Sequence, residues 1–286
     1  MTTTIGYTPP PGFEAASVGQ AKIEKAELRD ALRVAHEACD RARFEIMPRF
    51  RNVAVETKGD GSPVTEADRE AERVIREVIL AAFPGDAILG EELGATAGDA
   101  RRQWIIDPID GTVAFARGIP LFTTLIALAV DGEPVVGIID LPAVNDRISG
   151  ARGLGIHRGQ GPDAERVHVS TGPELADALV CHGDLFCFKL ARLRSAYDIL
   201  SHAIPKLRGY TDAFGHLLVL TGAADAMMDC DLNPWDAAVT RVLAAEAGGH
   251  CWVRERENGS KIDLLFGSPG TVQDISKLLA DCVDLT

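Results

Sequence analysis

The chain has 286 residues, 46% of them hydrophobic and 25% charged, and carries a net charge of −13. That mix is typical of a globular protein of one large or two moderate domains and speaks against intrinsic disorder. The acidic balance argues against nucleic acid and anionic membrane surfaces as partners.

Residues 1–20, with three consecutive prolines, read as a flexible N-terminal tail without the basic and apolar regions of a signal peptide. From Ala21, apolar residues recur at helical spacing through Ile23, Leu28, Leu32, Ala35, Cys39, Ala42 and Ile46, and Pro48 stops the run. A second helix is expected from near Thr65 to "FPGD", carrying Val74, Ile75, Val78 and Ile79 inward. The polar, glycine-rich "VETKGDGSPVTEAD" between them reads as a hairpin or a loop. Strand-like runs "QWIID", "FTTLIALAV", "PVVGIID" and "DRISGARG" follow, with "DG" turning the chain between the second and third. Then come a strand at "ADALVCHG", a helix around Ala191 to His202 and an apolar helix over about Phe214 to Thr221. A strand at "ADAMMDC" precedes a helix from Asp236 to Ala247 closed by Gly248 and Gly249. The order suggests an α+β half with an antiparallel sheet, residues 21–172, joined to an α/β half, residues 173–286. The six cysteines (Cys39, Cys181, Cys187, Cys230, Cys251, Cys282) have no C-x-x-C or metal-ligand spacing. No apolar stretch reaches the roughly 18 residues of a membrane span, so a cytoplasmic protein with reduced thiols is expected.

The acids in "GEEL", "WIIDPIDGT", "NPWDAA" and "VTEAD" need an explanation, although each has an ordinary one. Thr65 to Asp68 matches a capping box, Asp236 suits a helix N-terminus, and Asp110-Gly111 is a common turn dipeptide. Together they suggest more. Asp107 and Asp110 flank a proline-stiffened turn directly beyond a buried strand, where both can converge on one point. Hard divalent cations such as Mg²⁺ take carboxylate oxygens together with water and substrate phosphate. The amides of Gly111 and Thr112 are free to face an anion, and the two features together suit phosphoryl transfer.

"GEEL", "WIIDPIDGT" and "NPWDAAVTRVLAAEAGG" resemble, in order and spacing, the three signatures of the inositol monophosphatase family of Mg²⁺-dependent phosphatases; the resemblance runs from about residue 21 to the C-terminus. It implies a layered α/β/α/β/α sandwich, with the site between two sheet domains, and a homodimer. It also implies that Glu91, Asp107 and the Ile109 carbonyl hold a first metal, and that Asp107, Asp110 and Asp236 hold a second. Asp68 would join the catalytic network and a weaker third metal. Glu91 and the Thr112 hydroxyl would activate water, and the Gly111 and Thr112 amides would hold phosphate for in-line attack without a covalent intermediate.

The second half departs from the inositol enzymes. "RGYTDAFGHLLVLTGAADAMMDCDLNPWD" resembles the histidinol-phosphate phosphatase branch, which implies a step in histidine synthesis. Histidinol phosphate carries a protonated amine, which acids flanking the leaving group would attract; Asp212 and Asp229 are the candidates. Asp212 reads equally as a helix N-cap, and Asp229 and Asp231 as a solvated strand end. His216 reads as a core histidine, and Arg208 as a surface residue or a substrate contact. The alternatives are myo-inositol monophosphate or a related polyol phosphate as substrate, or a non-catalytic binding protein on the same fold. The second of these would be marked by a lost metal ligand, and none is lost.

Overall fold

A computed structural model describes residues 8–16, 21–59, 61, 63–280 and 282. Of the segment read as a tail, residues 1–7 and 17–20 lie outside these. Residues 8–16 are placed: Phe13 is buried and β1 (Glu14–Ala15) forms the edge of a sheet, paired with a strand distant in sequence. An aromatic side chain seated in the core outweighs the loop-forming prolines here.

Helix α1 (Lys25–Ile46) is followed by the hairpin β2 (Val55–Thr57) and β3 (Pro63–Thr65), and then by α2 (Glu66–Ala82). Next come β4 (Asp86–Gly90), β5 (Gly94–Thr96), β6 (Asp99–Asp110), the short α3 (Thr112–Ala116), β7 (Thr123–Val130) and β8 (Glu133–Leu141). Strands β9 (Asp146–Ala151), β10 (Gly155–Arg158) and β11 (Glu165–Val167) complete one sheet, ordered β11-β10-β9-β8-β7-β6-β4-β5. It is antiparallel except where β4 runs parallel to β6. The second sheet draws on β12 (Leu179–His182), α4 (Leu185–Leu190), α5 (Arg194–Ala203), β13 (Lys206–Arg208), α6 (Asp212–Leu220), β14 (Ala226–Leu232), α7 (Pro234–Glu246), β15 (His250–Arg256), β16 (Lys261–Gly267) and α8 (Pro269–Leu278). Its order is β1-β15-β16-β14-β12-β13, with β12 parallel to both neighbours and the remaining pairs antiparallel.

The side-chain alternation of the strands builds the layers. Ile126, Leu128 and Val130 of β7 face α1 and α2, packing with Ala35, Cys39, Ile75 and Ile79. Leu125, Ala127 and Ala129 face the other way, onto Leu217 and Leu220 of α6 and Val239 and Leu243 of α7. Both faces of β7 are therefore buried, which explains its unbroken apolar run. The same core reaches Met227 and Phe266 of the second sheet, whose far face buries Met228 and Leu265 against Phe188, Leu200 and Ile275 of α4, α5 and α8. The result is the α/β/α/β/α sandwich, with α6 and α7 as its shared middle layer. Helix α7 lies close to the first sheet because β8 and β9 carry glycine beneath it. A Cβ on Gly137 would meet Val242 at 2.9 Å, and one on Gly150 would meet Leu243 at 3.0 Å.

Candidate active site

Two residues three apart on a regular strand point to opposite faces. Strand β6 avoids this with a bulge. Asp107 pairs with Leu125 and Asp110 with Thr123, so β6 has one residue more than β7 between those positions. The extra residue swings Asp107 and Asp110 to the same side. Asp107 Oδ1 accepts from the Ile109 N–H (3.1 Å), and Thr124 Oγ1 donates to the Pro108 carbonyl (2.8 Å), which fixes the bulge. Asp236 arrives from the first turn of α7, where its Oδ2 accepts from the Asn233 N–H at 2.7 Å. Ligand oxygens of Asp107, Asp110 and Asp236 all lie within 4.8 Å of one another.

Three carboxylates this close resist ionising together. Burial first, then Glu91, Asp110 and Asp236, hold Asp107 well above the usual carboxylate range. Burial and the Asp212 carboxylate do the same to Asp110, and burial above all pushes Asp236 up to about 7. An all-oxygen trio under this repulsion fits a hard divalent cation, which would relieve the charge that burial opposes.

Glu91 and Asp68 stand around the trio rather than within it. Glu91 Oε1 is 2.8 Å from Lys58 Nζ, which reaches over from the turn of the β2–β3 hairpin and also meets Glu92 Oε1 at 2.6 Å. Asp68 completes the capping box with Thr65, whose N–H and hydroxyl both bond Oδ2 (2.8 and 2.5 Å); its other oxygen lies 3.3 Å from Thr112 Oγ1. The capping role and a place at the site therefore coexist. The Thr112 hydroxyl also donates to the Ile109 carbonyl, at 3.0 Å. Gly111, at φ +83°, turns the chain from β6 into α3, whose first N–H groups have no intrahelical acceptor. Gly111 and Thr112 line a cavity of about 500 Å³ with Glu91, Asp184, Tyr210, Asp212 and Phe214.

Asp212 is not the N-cap of α6. Thr211 holds that position, and the Ala213 N–H bonds Asp110 Oδ2 (2.7 Å) instead. Asp212 takes a left-handed φ of +58°, and a Cβ on Gly111 would lie 3.2 Å from its Oδ2. Burial, then Asp229, pushes its carboxyl up to about 6. Asp229 is no solvated strand end: it is buried, accepts from the Cys230 N–H, and lies 3.0 Å from His216 Nε2. His216 is a buried core histidine, with Thr240 on its other nitrogen. Asp231 is paired, with Arg256 at 2.6 Å, and Arg208 lies on the surface. Asp229 and Asp231 line a second cavity of about 260 Å³ with Asp184, Asp212, Asp236 and Lys261. Sequence reasoning missed Asp184, which lines both cavities; its signal was an aspartate before "LFCFKL", where it caps α4.

The profile of the inositol monophosphatase family matches residues 27–275. The chain belongs to the inositol monophosphatase family. This phosphatase is 37% identical over 223 residues to the histidinol-phosphatase of Mycobacterium tuberculosis, covering 77% of this chain and 86% of that one. It is 32% identical over 224 residues to the inositol-1-monophosphatase of Mycobacterium bovis, covering 74% and 76%. The fold is similar to the crystal structure of the extragenic suppressor protein SuhB from Bartonella henselae. That match has a TM-score of 0.78 at 27% identity and covers 91% of this chain and all of that one.

Proposed function

We propose that this inositol monophosphatase family enzyme hydrolyses L-histidinol phosphate to L-histidinol and phosphate, with Mg²⁺ as cofactor. One observation carries the substrate assignment: Asp184, Asp212 and Asp229 line one cavity together with Asp236 of the carboxylate trio, and we assign that cavity to the leaving group. Lys261 shares that cavity, but its ammonium is taken up by Asn233 Oδ1 (3.0 Å) and the Asp231 carbonyl. An ammonium group entering this cavity would therefore meet three carboxylates, each with lone pairs left beyond its own hydrogen bonds, and a polyol offers them no charge. The identity to a histidinol-phosphatase, 37% against 32% for an inositol-1-monophosphatase, supports the same substrate.

Asp107, Asp110 and Asp236, with Glu91, would hold two metal ions, and Asp68 and the Ile109 carbonyl would add to the set. When bound, Mg²⁺ supplies a Lewis acid that makes water a better nucleophile and neutralises charge on the phosphate and the departing oxygen. The chain does the rest. The Gly111 and Thr112 N–H groups bind phosphate oxygens. Thr112 Oγ1, between Asp68 and the Ile109 carbonyl, orients the attacking water and passes its proton toward Asp68 or Glu91. Asp212 and Asp229 orient the leaving group through its amine.

Two further parts of the reading are a cytoplasmic site of action and a homodimer. Among the described residues no two cysteines are joined in a disulfide, which suits a reducing compartment, and no helix is long and apolar enough to cross a membrane. Sedimentation at micromolar concentration tests the dimer. Phosphate release from histidinol phosphate and from myo-inositol 1-phosphate, each with Mg²⁺ and with a chelator, tests the reaction. The expected result is metal-dependent release favouring histidinol phosphate; equal rates on both esters reject the substrate assignment.

A further inference from the structure

Helix α2 carries a second buried acid one turn beyond Asp68. Glu72 is fully buried, and its carboxylate is not used by the chemistry above. Its Oε2 accepts from the backbone N–H of Glu92 (2.7 Å), and its Oε1 accepts from the N–H of Leu93 (3.2 Å) and from Arg76 Nε (2.7 Å). Arg76 in turn donates to Thr96 Oγ1 (2.6 Å) and to the Gly94 carbonyl. One ion pair on one helix thus binds both sides of the turn between β4 and β5. On the near side of that turn the Glu91 N–H bonds the Ile106 carbonyl (3.1 Å), next to Asp107.

We propose that Glu72 is a positioning residue for the metal site, holding the 90–94 turn so that the Glu91 carboxylate faces the Asp107, Asp110 and Asp236 trio. The backbone of Glu91 is fixed to β6 on one side, and without Glu72 the following amides have no buried acceptor to fix the other. Outer groups that orient a ligand commonly set the affinity of the ion it holds. Gly90 is part of the device. A Cβ there would lie 2.0 Å from Glu72 Oε1 and 2.8 Å from Arg76 Nη2, so the glycine of "GEEL" leaves room for the carboxylate. The inference rests on the metal-site reading above.

The test uses Mn²⁺ as probe, titrated into the full chain and followed by electron paramagnetic resonance, with circular dichroism and thermal melting as controls. Glu72→Ala is expected to weaken Mn²⁺ binding by about 10–100-fold in protein that remains folded. Gly90→Ala, which keeps Glu72 but fills its place, is expected to weaken binding in the same direction. A purely structural role would lower the melting temperature and leave the affinity of the folded protein within about twofold of wild type, and that result overturns the proposal. If Glu72→Ala does not fold, Glu72→Gln decides: it keeps the size and one acceptor oxygen, so a smaller loss supports the proposal and unchanged affinity overturns it. Asp107→Asn in parallel separates the two readings, because unchanged Mn²⁺ binding there overturns the metal site and this inference with it.

Discussion

Asp110 Oδ2 accepts a hydrogen bond from the backbone N–H of Ala213 at 2.7 Å, although the two residues lie 103 positions apart. The same oxygen accepts from Thr123 Oγ1 at 2.8 Å. A carboxylate of the trio therefore fixes the start of α6, whose first residue, Asp212, borders the cavity proposed for the leaving group. The carboxylate trio and the wall of that cavity are parts of one hydrogen-bonded unit, so on the proposed reading a change at either should register at the other. In Asp110→Asn, a neutral amide oxygen accepts from Ala213 and Thr123 more weakly than the carboxylate does, and the charge that would face the cation is lost. We expect weaker metal binding together with a raised KM for histidinol phosphate, both measured on the same preparation.

Asp107 lies deepest in the trio, and its charge is opposed most by burial and by Glu91. Asp107→Asn removes that charge with almost no change in volume. Turnover should fall by more than the roughly 10–100-fold that outer-shell changes cost, while the far-ultraviolet circular dichroism and the cooperative melt persist. Near-normal kcat with added Mg²⁺ would reject the metal assignment.

Asp212→Ala tests the choice of substrate. A charge-assisted hydrogen bond to an ammonium group contributes about 1.5–3 kcal/mol, or roughly 10–100-fold in KM. We expect that loss on histidinol phosphate and a much smaller one on inositol phosphate. Equal losses on the two esters remove Asp212 from substrate selection.

The sequence reveals those elements whose pattern is local. The capping box at Thr65, the αL closure at Gly248 and the apolar run of β7 are each read from adjacent residues, whereas the helix expected from Asp236 begins at Pro234, behind Asn233. The three-residue spacing of Asp107 and Asp110 signals a shared purpose, but the bulge that makes them converge depends on the register against Leu125 and Thr123. Register is a property of two strands and is invisible in one. For the same reason Asp229 reads as a strand end, whereas the second sheet and His216 enclose it. Asp184 and Glu72 are hidden by ordinary roles, an N-cap and an i,i+4 ion pair, and only tertiary contacts reveal a further one.

The shared middle layer makes its own prediction. Leu243 is fully buried on α7, the helix that also carries Asp236; it faces Gly137 and Gly150 of the first sheet and belongs to the core cluster that joins the two sheets. Leu243→Ala should cost about 2–5 kcal/mol, read as a lowered denaturant midpoint with an unchanged slope. If two sheet domains unfolded independently, the melt would instead split into two transitions.

Metal removal should make stability depend on pH in a direction opposite to ordinary acid denaturation. In the unfolded chain Asp236 titrates near 3.8, and in the folded, metal-free protein burial above all pushes it up to about 7. Between those values the folded state holds the extra proton, so this contribution to stability is full below about pH 4 and is lost as pH rises toward 7. Asp212, pushed up to about 6, acts with the same sign. Mg²⁺ binds the ionised carboxylates, so its stabilising effect grows over the window in which the proton leaves. Melting temperatures taken from about pH 5 to 8 with chelator and with excess Mg²⁺ should diverge, the chelated curve falling relative to the other. A Mg²⁺-induced shift that is constant across this range would show that proton and metal do not compete for the same carboxylates.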